Sequence, residues 1–220
     1  MNVNLTMEAR AVDLSFSQPV STNSSILTEI YQPQYNISIW QRKLPTVMID
    51  AINDMLETSK PLALVQRVTP DNVAEYIQNN LAGADCSVAL SEDIALIVDM
   101  FCCLFGVKEA GLRLTTLDSA MCPKFHVDQI PCRLVTTYTG TATQWLDNKD
   151  IDLRRSGHTG VSSDLIGLLD NDLVIKRMVA GDVGLLKGSG WQGNESTGLV
   201  HRSPMLNLNE RRLLLTLDLI

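Results

Sequence analysis

At 220 residues, the chain is long enough to bury a sizeable core as one domain with a helical extension, and too short for two full domains. Eighteen basic against 25 acidic residues leave a formal charge of −7, and no Lys/Arg-rich run or basic-aromatic stripe appears, which argues against a nucleic-acid partner. Five cysteines (Cys86, Cys102, Cys103, Cys122 and Cys132) are odd in number and form no CxxC pair, which argues against a disulfide framework or a zinc ribbon and for buried thiols.

Residues 1–25 are polar around Ser21-Thr22-Asn23-Ser24-Ser25 and show no sustained period, as expected of a weakly ordered leader or an edge strand. Glu8, Arg10 and Asp13 interrupt this stretch, so it does not resemble a signal peptide and a cytoplasmic protein is expected. Over 44–56, Val47, Met48, Ala51, Ile52, Met55 and Leu56 recur at helical spacing. A second helix is predicted over 71–81 behind Thr69 and Pro70, and a third over 91–105 with Ser91 as N-cap and Gly106 as stop. The most apolar run, 94–107, contains Asp99 and is too short to span a bilayer.

After Gly111 the texture changes to short runs rich in Leu, Val, Thr and Tyr, punctuated by Gly, Pro and Asn. Strands are predicted over 112–117, 124–128, 133–138, 175–178, 182–187, 198–201 and 211–219. A helical part at 26–110 followed by a β core at 111–220 implies one integrated α+β domain, a sandwich or barrel with helices bracing one face. The polar segment 147–172 is expected to be a long loop over the barrel mouth.

The chemistry concentrates in His126-Val127-Asp128. Alternate residues of a strand share a side, so His126 and Asp128 project together while Val127 packs behind. His201, 75 positions beyond His126, would complete a set of two histidines and one carboxylate that leaves half an octahedron open. Those donors suit Fe(II) and equally Zn(II). An isolated HxD is weak, since an acid stands two residues after a given histidine roughly one time in nine by chance.

Strand parity adds a second signal. Arg211 shares a face with Leu213, Leu215, Leu217 and Leu219, and a guanidinium inside a leucine-lined interior needs an anion. A clamped carboxylate would supply it; the alternatives are that Arg211 reaches water or pairs with Glu210 or Asp218. Gly188-Ser189-Gly190-Trp191-Gln192-Gly193 matches GxGxxG without a following helix and reads as a loop, with Trp191 an ordinary loop aromatic. Cys122 and Cys132 flank the HxD, as buried thiols or as zinc partners of His126. His158, beside Arg154 and Arg155, reads as a solvated loop residue.

Phe125-His126-Val127-Asp128, Arg133-Leu134-Val135-Thr136-Thr137-Tyr138, His201-Arg202-Ser203-Pro204 and Arg211 together resemble the Fe(II)/2-oxoglutarate dioxygenases, especially their prolyl-hydroxylase-like branch, over residues 122–220. The resemblance implies a double-stranded β-helix core (jelly-roll, cupin-like) braced by the N-terminal helices. It implies His126, Asp128 and His201 as iron ligands, Arg211 as anchor for the distal carboxylate of 2-oxoglutarate, and Tyr138 as a hydroxyl donor to that carboxylate or a packed core aromatic. The implied activity couples oxidative decarboxylation of 2-oxoglutarate to hydroxylation of a small molecule or a protein side chain. Departures from the pattern are a short turn after the HxD, Arg212 as rival to Arg211, and a helical half without a counterpart. Across its whole length the chain is similar to an uncharacterised bacterial family, often encoded near zinc-responsive genes, which implies as alternative a non-catalytic zinc-binding protein of metal homeostasis.

Overall fold

Leucines at alternate positions of the last strand place it between two layers, and the rest of the fold is arranged around it. The computed structural model describes residues 18–148 and 175–220. In chain order these form β1 (Val20–Ser21), a 3-10 helix (Ser24–Tyr31), β2 (Ile37–Trp40), α1 (Thr46–Thr58), β3 (Ala63–Val68), α2 (Val73–Asn80), α3 (Ser87–Phe105), β4 (Ala110–Leu117), β5 (Cys132–Thr139), β6 (Gln144–Leu146), β7 (Ile175–Arg177), β8 (Val183–Lys187), β9 (His201–Arg202) and β10 (Arg212–Asp218). A larger sheet runs β1-β2-β8-β5-β10-β4-β3, and a three-stranded sheet runs β7-β6-β9.

The two faces of β10 meet different partners. Leu213, Leu215 and Leu217 join Leu112, Leu114, Leu134, Val183 and Leu185 under α1 and α3, against Ile52, Met55, Ile94, Ile97 and Phe101. Each of the three β10 leucines is fully buried, a contribution of roughly 1.5–3 kcal/mol apiece. On the opposite face Leu214 packs with Val135, Leu186, Ile37 and Ile39 against Trp145, Met178 and Leu199. The large sheet is thus covered by helices on one side and faces the small sheet on the other.

Helix α3 stops at Gly106, whose φ of 64° lets its N–H reach the carbonyls of Cys102 and Cys103. Its start differs from expectation. The helix begins at Ser87, because Leu90 extends the buried stripe of Ile94, Ile97, Val98 and Phe101 by another turn. Ser91 is buried within it, donating to the Val88 carbonyl at 2.8 Å and accepting from Gln78 at 2.9 Å. A polar lock joins the layers where α3 meets β5: Arg42 binds both Asp93 oxygens at 2.5 and 2.9 Å and the Gly181 carbonyl at 2.7 Å, and Tyr138 donates to Asp93 at 2.7 Å.

Several strand expectations are corrected. The stretch read as helical contributes β2 and β3 to the large sheet, so helices and strands are interleaved before residue 110. Within residues 1–25, expected as a weakly ordered leader or an edge strand, Val20–Ser21 takes the second form and pairs in parallel with β2 at the edge of the large sheet. Residues 124–128 form no strand; there His126 alone pairs, in a single antiparallel bridge with His201. The expected loop at 147–172 lies, after residue 148, outside the described residues, as does His158. Among the described residues, no helix is long and apolar enough to cross a membrane.

Candidate metal centre

The bridge that replaces a strand at 124–128 also brings the histidines together. His126 and His201 exchange both backbone hydrogen bonds at 3.0 Å, and their rings lie 4.6 Å apart. Asp128 completes the group: its carboxylate oxygens stand 3.6 Å from His126 Nε2 and 3.5 Å from His201 Nε2. The three donor atoms all lie within 4.8 Å of one another, close enough to share one ion. Each Nδ1 faces a backbone carbonyl, Lys124 at 3.0 Å for His126 and Leu199 at 3.2 Å for His201. Such bonds fix the tautomer that leaves Nε2 free for a metal.

The electrostatics suit cation binding. Burial opposes ionisation of Asp128, yet His126, His201 and Arg133 bring its carboxyl down to about 2. Burial holds His201 near 4 and hence neutral at ordinary pH, while the neighbouring Asp128 raises His126 above its usual value. Arg133 is the organising cation. One amino group reaches Asp128 at 2.9 Å, and the rest of the guanidinium forks onto both oxygens of Asp218 at 2.7 and 2.9 Å. β5 and β10 thereby orient a ligand that lies outside either strand. Arg133→Ala is expected to weaken metal affinity about 10- to 100-fold with the helices intact, measured by metal titration beside far-UV circular dichroism.

The GxGxxG segment holds the same loop from behind. Gly188 N–H donates to the Pro131 carbonyl at 2.9 Å and Ser189 N–H to the Asp128 carbonyl at 2.8 Å. A Cβ on Gly188 would collide with the Ile130 carbonyl, and one on Gly190 would lie 2.5 Å from the Gln129 carbonyl. These glycines permit two backbones to touch. Gly188→Ala is expected to cost about 1–3 kcal/mol and to loosen metal binding, read from thermal unfolding with and without metal.

Two expected site residues are not at the centre. Arg211 is exposed and turns toward α1, donating to the Leu56 carbonyl, and Tyr138 lies buried in the lock with Asp93 on the helix side. Tyr138 is thus the packed core aromatic of the helix-covered face, Arg211 stands exposed just before β10, and the candidate ligands lie on the other side of the large sheet. Arg212 takes the place expected of Arg211. It is 1% exposed, donates to the Thr141 carbonyl at 3.1 Å and to Ser203 Oγ, two residues from His201, and leaves its Nε unpaired.

Among the described residues, Arg212 has no carboxylate partner. Burial pushes its pKa down and nearby Glu210 only partly offsets this; the Glu210 oxygens accept from Thr141 and Asn207. Thr137 Oγ1, opposite Leu214 on the same face, and Trp145 Nε1 are likewise buried and unpaired. Unmatched buried donors are groups that an anion would satisfy. Cys132 is buried in the helix-side core and Cys122 is exposed; neither belongs to the metal-ligating group. Trp191 packs with Tyr31 and Phe105, away from the centre.

No curated protein matches the chain. Among solved structures, it is similar to the dioxygenase for auxin oxidation 1 from Arabidopsis thaliana in its 2-oxoglutarate complex, at 11% identity over 93% of this chain and 92% of that one, with a TM-score of 0.52. Lower scores relate it to a Pseudomonas putida prolyl-4-hydroxylase, at 12% identity, 88% and 96% coverage and 0.41, and to HygX from Streptomyces hygroscopicus with nickel and 2-oxoglutarate, at 10%, 83% and 81% coverage and 0.44. At 11% identity the likeness to the first is one of fold. The family model described as "Protein of unknown function (DUF1826)" matches residues 21–218, and the chain belongs to that family.

Proposed function

We propose that the chain is an Fe(II)- and 2-oxoglutarate-dependent oxygenase of the hydroxylase kind, and that its two sheets are the halves of a double-stranded β-helix. The observation that carries this reading is Arg212, a buried guanidinium without a carboxylate partner among the described residues, on the same side of the large sheet as the three candidate metal ligands. A module that only holds zinc would need the ligands and not the arginine. The strand order supports the architecture: β8-β5-β10-β4 opposes β7-β6-β9, with His126 bridged to the edge of the smaller sheet.

In this reading His126, Asp128 and His201 hold the metal, while Arg212, Ser203, Thr137 and Trp145 receive the distal carboxylate of 2-oxoglutarate. When bound, the pair would supply, with dioxygen as co-reactant, decarboxylation of 2-oxoglutarate to succinate and CO2, one oxygen atom entering succinate and the other the substrate C–H bond. The protein's part is positional. The Nδ1 bonds hold the imidazoles in their ligating tautomer, Arg133 orients Asp128, and the apolar lining of Val135, Leu186 and Leu214 keeps water from the interior.

The test is anaerobic addition of Fe(II) and 2-oxoglutarate to the purified protein, watching for the weak visible charge-transfer band of the chelate. A band absent in His126→Ala and weakened in Arg212→Met supports the oxygenase. Tight metal binding with no band in the wild-type protein overturns it.

A further inference from the structure

The smaller sheet leaves part of the metal-bearing face bare. Directly paired residues of antiparallel strands share a face, and Leu214 lies between the sheets, so Thr216 and Asp218 point the same way. Their β4 partners are Arg113 and Gly111, and the β3 partners of those are Val65 and Arg67. Val65 is 65% exposed, whereas Leu112 and Leu114 on the reverse face are buried under the helices. Val65, Arg67, Gly111, Arg113 and Asp218 of this strip, with Ile220 at its end, line a groove of about 480 Å³.

Its charge is unusual for a chain of net charge −7. Asp218 is the one acid on the wall, and Arg133 takes both of its oxygens, the same arginine that binds Asp128. The groove and the metal-ligating carboxylate are therefore separated by a single guanidinium. Arg113 is exposed between Val65 and Thr216, neither of which can neutralise it. Arg67 meets Glu109 at 3.2 Å in a solvent-exposed pair, worth little in water. Gly111 lets Ile220 pack onto the sheet: a Cβ there would approach the Ile220 side chain to 3.1 Å, so Ile220 closes that end of the groove.

We propose that this groove is the substrate subsite and that it takes a small organic carboxylate. The acid group pairs with Arg113, assisted by Arg67, and the apolar body lies between Val65 and Ile220. Naming this groove for substrate rests on the oxygenase reading above; its capacity to bind a carboxylate does not.

The probes are alkanoates of varied length and arylalkanoates, each beside its neutral carboxamide. Binding is followed by ligand-detected NMR on the Arg212→Met protein, metal-free and metal-loaded, so that the interior arginine does not capture the probe. The carboxylates are expected to bind and the carboxamides not. Arg113→Glu is expected to weaken binding about tenfold or more through like-charge repulsion, Arg113→Lys to restore most of it, and Arg113→Glu in the otherwise wild-type chain to retain the visible chelate band. Equal binding of acids and amides, indifference to Arg113→Glu, or no carboxylate bound at millimolar concentration overturns the proposal. Arg113-dependent carboxylate binding without a chelate band in the wild-type protein keeps the anion site and discards the oxygenase.

Discussion

Arg212→Met is expected to weaken 2-oxoglutarate binding about 30-fold or more while raising the melting temperature of the ligand-free protein. The two effects share one cause. Arg212 is a buried cation whose hydrogen bonds go to a carbonyl and a hydroxyl and whose Nε is unpaired, so it costs stability until an anion arrives. Removing it forfeits a charge-assisted clamp of about 2–5 kcal/mol, roughly 30-fold to several-thousand-fold in Kd. The ligand-free protein gains on the order of 1 kcal/mol, or about 2–4 °C for a chain of this size. Arg211→Met should leave 2-oxoglutarate affinity unchanged, since that side chain faces α1. Calorimetric unfolding with and without 2-oxoglutarate separates the cases; an Arg212→Met protein that melts lower and still binds would show the arginine to be structural.

Loss of metal is the second large effect. A saturating divalent ion at about 100 times its Kd stabilises a fold by about 2.7 kcal/mol, and this increment should vanish in Asp128→Ala and in His201→Ala. Removing one of three donors is expected to cost on the order of 3 kcal/mol, more than about 100-fold in affinity. The fold should survive both changes, because Arg133 keeps Asp218 as a partner and the backbone bridge of residues 126 and 201 needs no side chain. Metal analysis after dialysis together with the metal-dependent shift in melting temperature checks this. Full metal content in either variant would remove these residues from the centre.

The three metal-ligating candidates were legible because their chemistry is local: HxD needs only a short extended segment, and His201 opens a brief edge strand. Which arginine faces the site was not. Leucine richness at positions 213, 215 and 217 signals burial, but this sheet is buried on both faces. The richer face is the one packed by α1 and α3, so parity aimed Arg211 toward the helices, where it stays exposed against α1, and Tyr138, expected from the resemblance, packs in a core that lacks the candidate metal ligands. A binding face must spare positions for polar groups, and the mixed sequence Arg212, Leu214, Thr216, Asp218 carries that signature. β2 escaped notice because Ile37–Trp40 is four residues long, and β3 because most of it is exposed on an edge, where hydrophobic alternation fades. The early start of α3 lies in Leu90, a packing residue ahead of the nominal cap.

The backbone bridge between residues 126 and 201 has a kinetic consequence. Its partners are far apart in sequence, and the strands that frame it are joined by long-range pairings, β2 with β8 and β4 with β10. Such contacts are made only after large loops have closed, which makes them slow to form. A refolding chain will therefore acquire its local helices well before the histidines meet, and the appearance of metal affinity in a stopped-flow trace should mark the last cooperative step.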